Sequence, residues 1–69
     1  MKISARNILK GKIKSVKLGP VSSEISVELP GGDTIVSVIT RTSVESLGLK
    51  EGMEVYTVIK ATNVMIAID

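Results

Sequence analysis

Hydrogen-bond donors lie beside cationic residues in three short segments of this 69-residue chain. The donors are hydroxyl, amide and guanidinium groups, which can hold the oxygens of an oxyanion without any change in protonation. Backbone N–H groups at a helix start would add further donors and a partial positive charge. We therefore interpret three sets as candidate oxyanion-binding residues, namely Ser4, Ala5, Arg6 and Asn7, then Thr40, Thr42 and Ser43, and finally Lys60, Ala61 and Thr62.

Each of these segments also has a purely structural interpretation. The hydroxyl of Thr42 can cap a helix, Arg6 can form a surface ion pair, and Lys60 can lie at a solvated strand end. Taken one at a time, the segments do not distinguish a binding site from ordinary surface.

The composition argues against catalysis. The chain has no histidine and no cysteine, the side chains that most often act as general bases, nucleophiles and ligands of transition metals. Its carboxylates fall in predicted turns, at a predicted helix start or on a predicted solvent face, and no Asp-rich loop suited to Mg²⁺ or Ca²⁺ is present. We predict a protein that is not an enzyme, has no site for a metal cation and has no organic cofactor.

A domain of this size is marginal when it is alone. Residues 1–69 are expected to make one domain, which buries only about 60% of the surface that its unfolded chain exposes. The composition excludes disulfides and argues against a structural metal, the usual remedies for small folds. With 43% hydrophobic residues, part of the apolar surface is predicted to contact a neighbouring subunit. No apolar stretch follows the basic N-terminal residues and no 18-residue apolar run occurs, so we predict a cytoplasmic protein with no membrane partner.

The net charge of +2 is unevenly distributed. Ahead of Glu24, the first acidic residue, stand Lys2, Arg6, Lys10, Lys12, Lys14 and Lys17. This run indicates either a solvated strand face or a surface that attracts anions. A small nucleic-acid-binding barrel is the alternative from another functional class. Base stacking needs aromatic side chains, however, and Tyr56 is the only one, so we do not expect nucleic acid to be the partner.

Valine, isoleucine and closely spaced turn residues predict a mainly β fold. A first strand is expected over residues 7–18, with Gly11 allowing a bulge or a sharp bend. The second, over residues 21–29, alternates apolar and polar positions with a period of two. The hairpin sequence Pro30-Gly31-Gly32-Asp33 separates it from a third strand over residues 34–40, and both faces of this strand carry apolar side chains.

One short helix is expected after the third strand. Thr42-Ser43-Val44-Glu45 has the form of a capping box, and Gly48 has that of a helix stop. A fourth strand over residues 54–60 and a fifth over residues 64–68 complete the pattern. Five strands with one short helix after the third predict a five-stranded OB-like barrel.

The donor-rich N-terminus also carries a family resemblance. Ser4-Ala5-Arg6-Asn7 at the start of a strand resembles the opening of molbindin domains, the small molybdate-binding Mop proteins. Three later blocks resemble the same family in the same order, and the match covers nearly the whole chain. These blocks are residues 9–13, residues 43–52 and residues 58–65.

The resemblance implies a barrel of the Mop/TOBE type that assembles as a homohexamer, a trimer of dimers. It also implies that molybdate or tungstate is the bound cofactor and lies between subunits. Ser4, Arg6 and Asn7 of one subunit would meet residues 60–62 of another around one class of anion.

A second class of anion site, also implied by the resemblance, would use Gly19, Val21 and Ser22. The sequence departs from the family pattern at Asn63, where an aspartate is expected, and at Arg41-Thr42, where less basic residues are expected. Both departures remove negative charge or add positive charge, so they should strengthen the attraction for anions.

A site made only of donors discriminates among tetrahedral anions. Molybdate and tungstate carry no proton at neutral pH, whereas monohydrogen phosphate carries an O–H that needs an acceptor, a mismatch of about 1–3 kcal/mol. Sulfate would be rejected only through its smaller size. Because no catalytic group is present, we predict intracellular molybdate storage and homeostasis, with a molybdate-sensing regulatory module as an alternative.

Overall fold

The computed structural model describes all 69 residues, Met1–Asp69. Four strands form one curled antiparallel sheet in the order β3-β2-β1-β4. The elements in chain order are β1 at Asn7–Lys17, β2 at Ser22–Glu28, β3 at Thr34–Thr40, α1 at Arg41–Leu47, β4 at Glu54–Ile59 and a 3₁₀ turn at Ala61–Asn63. The chain is thus mainly β with one short α-helix after the third strand, as the sequence predicts.

Strand β1 joins the two halves of the sheet. Its first half pairs with β4 and its second half pairs with β2, and Lys12 belongs to both ladders. The register with β2 shifts between Ile13 and Ser15, so Lys14 is the extra residue of a bulge. The sequence placed this bulge or bend at Gly11, which instead lies in regular register opposite Val55.

Gly11 has a different role, because it allows the backbones of β1 and β2 to approach closely. A Cβ atom added at this position would lie 2.6 Å from the Glu28 carbonyl oxygen and 2.7 Å from Cγ1 of Val27. The first of these atoms is backbone and cannot move aside without displacing the strand. The position therefore requires glycine for space rather than for backbone conformation.

The alternation of β2 builds most of the small core. Ile25 and Val27 are buried, and they pack with Ile13 of β1 and Val44 of α1. Only seven of the 69 residues are buried, so a single chain has very little interior. This agrees with the prediction that the monomer is marginal.

Helix α1 begins two residues earlier than the sequence suggested. Its N-cap is Thr40, whose hydroxyl accepts a hydrogen bond from the Ser43 backbone N–H at 3.0 Å. The capping box at Thr42 and Glu45 is therefore not used, because an equivalent hydroxyl spacing two residues upstream starts the helix at the end of β3. Gly48, with φ 63°, ends the helix as predicted. No helix in the chain is long and apolar enough to cross a membrane.

The predicted fifth strand is absent. Residues 64–68 form no ladder with any strand, and all of residues 64–69 are exposed. The 3₁₀ turn at Ala61–Asn63 follows β4 directly, and the segment after it lies along neither edge of the sheet. Its composition suits a strand, but a strand needs a neighbouring edge to satisfy its backbone hydrogen bonds.

Strand β3 has apolar side chains on both faces, as the sequence predicts. Ile39 packs against the core, whereas Val36 and Val38 are exposed on the opposite face. Because β3 is also an edge of the sheet, one side of this strand has no hydrogen-bonded neighbour within the chain.

Candidate functional site

The first and third candidate segments lie side by side at one end of the sheet. Asn7 and Ile59 form the last pair of the β1–β4 ladder, and the Asn7 Nδ2 donates a hydrogen bond to the Ile59 carbonyl oxygen at 3.3 Å. The next residues outward on the two chains are Arg6 and Lys60, and both are exposed. The ladder thus brings two cations to the same end of the sheet.

The polar side chains of this region are not occupied by contacts within the chain. No side-chain hydrogen bond or ion pair is made by Ser4, Arg6, Lys60 or Thr62. The 3₁₀ turn at Ala61–Asn63 leaves Ala61 and Thr62 exposed to solvent. We call residues 4–7 together with residues 60–62 the donor end.

The hydroxyls of the second candidate segment are used to start α1. The Thr40 Oγ1 accepts a hydrogen bond from the Ser43 backbone N–H at 3.0 Å and donates one to the Ser43 Oγ at 2.8 Å. Thr42 is exposed and makes no side-chain hydrogen bond. The capping interpretation therefore holds for this segment, although the capping residue is Thr40 rather than Thr42.

The loop after β1 packs against this helix start. The Arg41 backbone N–H donates to the Val21 carbonyl oxygen at 2.8 Å, and the Arg41 Nη1 donates to the Gly19 carbonyl oxygen at 3.5 Å. The structure thus joins the second candidate segment to the residues expected for a second anion site. We call residues 19–22 together with residues 40–43 the capped end.

The donor end and the capped end lie at opposite ends of the sheet. Strand β1 runs from one to the other over eleven residues, a path of about 30 Å along the strand at roughly 3.3 Å per residue. The three candidate segments therefore do not form one site within one chain. The first and third come together, and the second joins Gly19, Val21 and Ser22 instead.

Comparison with known families identifies the chain. The family model of the TOBE domain matches residues 3–66. The chain belongs to the TOBE-domain family. Within that family it is 54% identical over 66 residues to molybdenum-pterin-binding protein 3 of Clostridium pasteurianum, covering 96% of this chain and 97% of the relative.

Solved structures of Mop proteins share this fold over nearly the whole chain. MopII from Clostridium pasteurianum, in an apo form, is 51% identical with a TM-score of 0.92, covering 97% of this chain and 100% of that one. A molybdate-binding protein from Sporomusa ovata is 35% identical with a TM-score of 0.93, covering 99% and 100%. The cytoplasmic molybdate-binding protein ModG, with molybdate bound, is 45% identical with a TM-score of 0.90, and this chain spans 46% of its length.

The TOBE-domain and Mop relatives are binding proteins, and this chain is accordingly a binding protein rather than an enzyme. No group of three or more histidine, cysteine, aspartate or glutamate side chains is placed to hold a metal ion.

The lysine run of the TOBE-domain chain is largely balanced by carboxylates. In the cross-strand register, Lys17 lies opposite Glu24, and Lys12 lies opposite both Glu28 and Glu54. Glu54 also pairs with Lys10, at 3.3 Å between Nζ and Oε2. Strand β1 thus presents an alternating rather than a basic surface, which removes the main argument for a nucleic-acid-binding face.

Arg41 is not among the candidate residues that the sequence indicates, where it is only a departure from the family pattern. Its guanidinium nevertheless lies at the loop of the capped end and donates to the Gly19 carbonyl oxygen. The sequence contains a signal for this position. Arg41 directly follows the last residue of β3, and in an antiparallel pairing of β2 with β3 the end of β3 lies beside the loop before β2.

Proposed function

We propose that this TOBE-domain protein binds molybdate or tungstate at its donor end, between the subunits of a homohexamer built as a trimer of dimers. The observation that carries the proposal is the position of Arg6 and Lys60, each one residue beyond the Asn7–Ile59 pair, with no carboxylate paired to either cation. The bound oxyanion would be held by Ser4, Ala5, Arg6, Asn7, Lys60, Ala61 and Thr62.

The two cations supply the attraction for an anion. Two cations at the same end of a sheet repel each other. A dianion bound between Arg6 and Lys60 would remove this repulsion and form a charge-assisted hydrogen bond with each side chain. The hydroxyls of Ser4 and Thr62 and the Asn7 amide can add neutral donors around the remaining oxygens. These groups match a tetrahedral anion that carries oxygens on every side and no proton.

An interface is the natural place for such a site. In one chain both cations of the donor end are exposed, and an exposed charge gains little from an ion pair because water screens it. A second subunit lying over residues 4–7 and 60–62 would exclude water and strengthen every contact to the anion. Sharing the donors between subunits also limits the uncompensated charge that any one chain buries when no anion is bound.

The capped end is proposed as a second and weaker site. The Arg41 guanidinium donates to the Gly19 carbonyl oxygen and the Arg41 backbone N–H donates to that of Val21, which precedes Ser22, so this loop has one cation beside it. The Thr40 and Ser43 hydroxyls are already bonded to each other, so these two candidate residues have less donor capacity to offer. Thr42 remains available as a hydroxyl donor.

The physiological role that fits this chemistry is cytoplasmic storage and homeostasis of molybdate, by one domain spanning residues 1–69 in an OB-like barrel. The similar proteins support the ligand class, since one is named as molybdate-binding and another was solved with molybdate bound. A molybdate-sensing module is the alternative role. It would use the same anion site but would need a second protein that responds to the bound form.

Native mass spectrometry of the full chain tests the proposal. Samples would be compared with no anion and with molybdate, tungstate, sulfate or phosphate at equal concentration. We expect a hexamer that gains a small fixed number of molybdates or tungstates and does not retain phosphate. A monomer, or a hexamer that takes up all four anions alike, would contradict a defined donor-only site at subunit interfaces. A pull-down of partner proteins, carried out with and without molybdate, would separate storage from sensing.

A further inference from the structure

The donor end lies at the tip of a ribbon of only two strands. Residues 7–11 of β1 pair with residues 55–59 of β4 alone, because the ladder between β1 and β2 begins at Lys12. Strand β4 is also an edge of the sheet, with no strand on its other side. We call residues 7–11 together with residues 55–59 the ribbon. Two strands without further partners are marginally stable in water, so the tip of the ribbon needs additional contacts to stay closed.

Two reciprocal side-chain hydrogen bonds cross the ribbon. From β1, the Asn7 Nδ2 donates to the Ile59 carbonyl oxygen at 3.3 Å. From β4, the Thr57 Oγ1 donates to the Leu9 carbonyl oxygen at 3.1 Å. A carbonyl oxygen has two lone pairs and can accept a side-chain donor as well as a ladder bond. No other two strands of the sheet are joined by a side-chain hydrogen bond, so these contacts are confined to the part of the sheet that carries the donor end.

Thr57 is placed to influence the donor end without touching a ligand there. Its side chain is buried, and its hydroxyl is bonded to the Leu9 carbonyl oxygen. It precedes Lys60 by three residues, which is about 10 Å along an extended strand. Any effect of Thr57 on a bound oxyanion must therefore pass through the ribbon.

The ribbon holds two like charges together. Arg6 and Lys60 each lie one residue beyond its last pair, Asn7 with Ile59, and their repulsion favours separation of the two strands when no anion is bound. A ribbon that stays closed presents both cations in advance. The anion then does not have to order the tip as it binds, and removing such an ordering cost raises affinity.

We propose that Thr57 is a positioning residue of the oxyanion site, which together with Asn7 holds the tip of the ribbon closed before the anion binds. The inference rests on the proposed function, because it concerns the same site. It makes molybdate affinity depend on a buried hydroxyl that lies outside all the candidate segments. It also gives the Asn7 amide a second task, since one of its N–H groups is used to hold Ile59.

Two substitutions at Thr57 separate the hydroxyl from the shape of the side chain. Thr57→Val keeps the shape and removes the donor, whereas Thr57→Ser keeps the donor and removes a methyl group. Titration calorimetry of the assembled full chain measures the affinity for molybdate. We expect Thr57→Val to weaken binding by about 2- to 12-fold, the equivalent of one neutral hydrogen bond, and Thr57→Ser to stay within about twofold of the parent.

Chemical denaturation distinguishes positioning from general stability. Thr57 lines an apolar groove together with Val55 and Ile59, and valine suits both a strand and an apolar neighbourhood. Thr57→Val should therefore be at least as stable as Thr57→Ser, although it binds molybdate more weakly. If affinity follows the order of stability in these two variants, Thr57 has only a structural role and the proposal is wrong.

Ser23→Ala is the matched control, because Ser23 is the other buried hydroxyl residue. Its Oγ accepts a hydrogen bond from the Gly19 N–H at 3.4 Å, at the capped end. Its loss leaves the ribbon intact, so molybdate affinity at the tighter site should match that of the parent chain. An equal loss of affinity in Ser23→Ala and Thr57→Val would mean that any loosening of the sheet weakens binding, which would also overturn the proposal.

Amide hydrogen exchange of the anion-free protein tests the ribbon separately from binding. Thr57→Val should exchange faster than the parent at residues 57–60 and at the parent's rate at residues 22–28. Unchanged exchange at residues 57–60 would overturn this inference even if the parent chain binds molybdate. A parent chain that binds no molybdate would instead contradict the proposed function, and with it the role of the ribbon in binding, so the two failures give different results.

Discussion

The donor end and the capped end contain similar residues but use them differently. Both have hydroxyl groups beside a cation, and both lie at a terminus of β1. At the capped end the Thr40 and Ser43 hydroxyls bond to each other and to the start of α1. At the donor end the side chains of Ser4, Arg6, Lys60 and Thr62 make no such bonds within the chain.

The difference separates two meanings of one sequence pattern. Hydroxyls beside a helix start are first of all capping groups, and a cap bonds to its own backbone before it can bond to a ligand. Donors beyond the last pair of a ladder have no such local partner. The donor end is therefore the better candidate for recognition, and the capped end serves mainly to position α1 over the core.

The largest expected effect is on the strand that connects the two ends. Gly11→Ala would place a Cβ against the Glu28 carbonyl oxygen and the Val27 side chain, and we expect the free energy of unfolding to fall by about 3 kcal/mol, the upper part of the usual range for overpacking. Gly31→Ala is the control, since no atom lies within 4 Å of its added Cβ. Chemical denaturation of both variants measures the effect. Equal stabilities would mean that β1 and β2 can separate slightly without cost.

Arg6→Ala should give the next largest effect, this time on binding. Loss of a charge-assisted contact weakens affinity by about 1.5–3 kcal/mol, or roughly 10- to 150-fold. Titration calorimetry with molybdate on the assembled protein gives the affinity, and native mass spectrometry shows whether assembly is retained. Arg41→Ala removes the same charge at the capped end and is the matched control, with a loss of only about threefold. If the two variants weaken binding equally, diffuse charge holds the anion rather than a defined site.

Thr40→Ala should affect stability but leave the donor end unchanged. Removing the hydroxyl that caps α1 lowers the free energy of unfolding by about 1 kcal/mol. Thr42→Ala, two residues along, removes a hydroxyl with no bond in the chain and should cost less than about 0.5 kcal/mol. Thermal unfolding of both variants, with molybdate affinity measured alongside, checks the assignment. The reverse order of stabilities would restore the capping box at Thr42 and Glu45.

The smallest effect is expected from Lys12→Ala, in the middle of β1 and away from both of its ends. Lys12 lies opposite Glu28 and Glu54, and exposed charge pairs contribute about 0–1 kcal/mol. Both stability and molybdate affinity should stay close to those of the parent chain. A clear loss of affinity in the same calorimetric titration would show that the anion is bound along the lysines of β1 and not at its end.

The elements with strong local signals were predictable from sequence. The period-two alternation of β2 predicts its buried face, and Gly48 predicts the end of α1. Each of these features depends only on a few adjacent residues. The predicted start of α1 is wrong by two positions, because Thr40 and Thr42 are each followed by residues that suit a helix. Strand β3 ends at Thr40, and the structure therefore uses Thr40 rather than Thr42 as the N-cap.

The segment over residues 64–68 shows a different limit. Its composition favours a strand, but the prediction is wrong for this chain, because the structure pairs the segment with no edge of the sheet. The candidate site was limited in the same way. Donor residues could be named from the sequence, but the bond between Thr40 and Ser43 and the separation of the two ends by the length of β1 are properties of the fold.

The alternating charges across β1, β2 and β4 have a kinetic consequence. Three of the four lysines of β1 lie opposite or beside a glutamate, so this surface attracts an anion only weakly. Arg6 and Lys60 have no such counterbalance, and their field extends over about 8–10 Å at physiological ionic strength. A diffusing anion is therefore attracted mainly to the donor end of the molecule. The association rate constant for a dianion should fall as salt is added, because salt screens the field of Arg6 and Lys60.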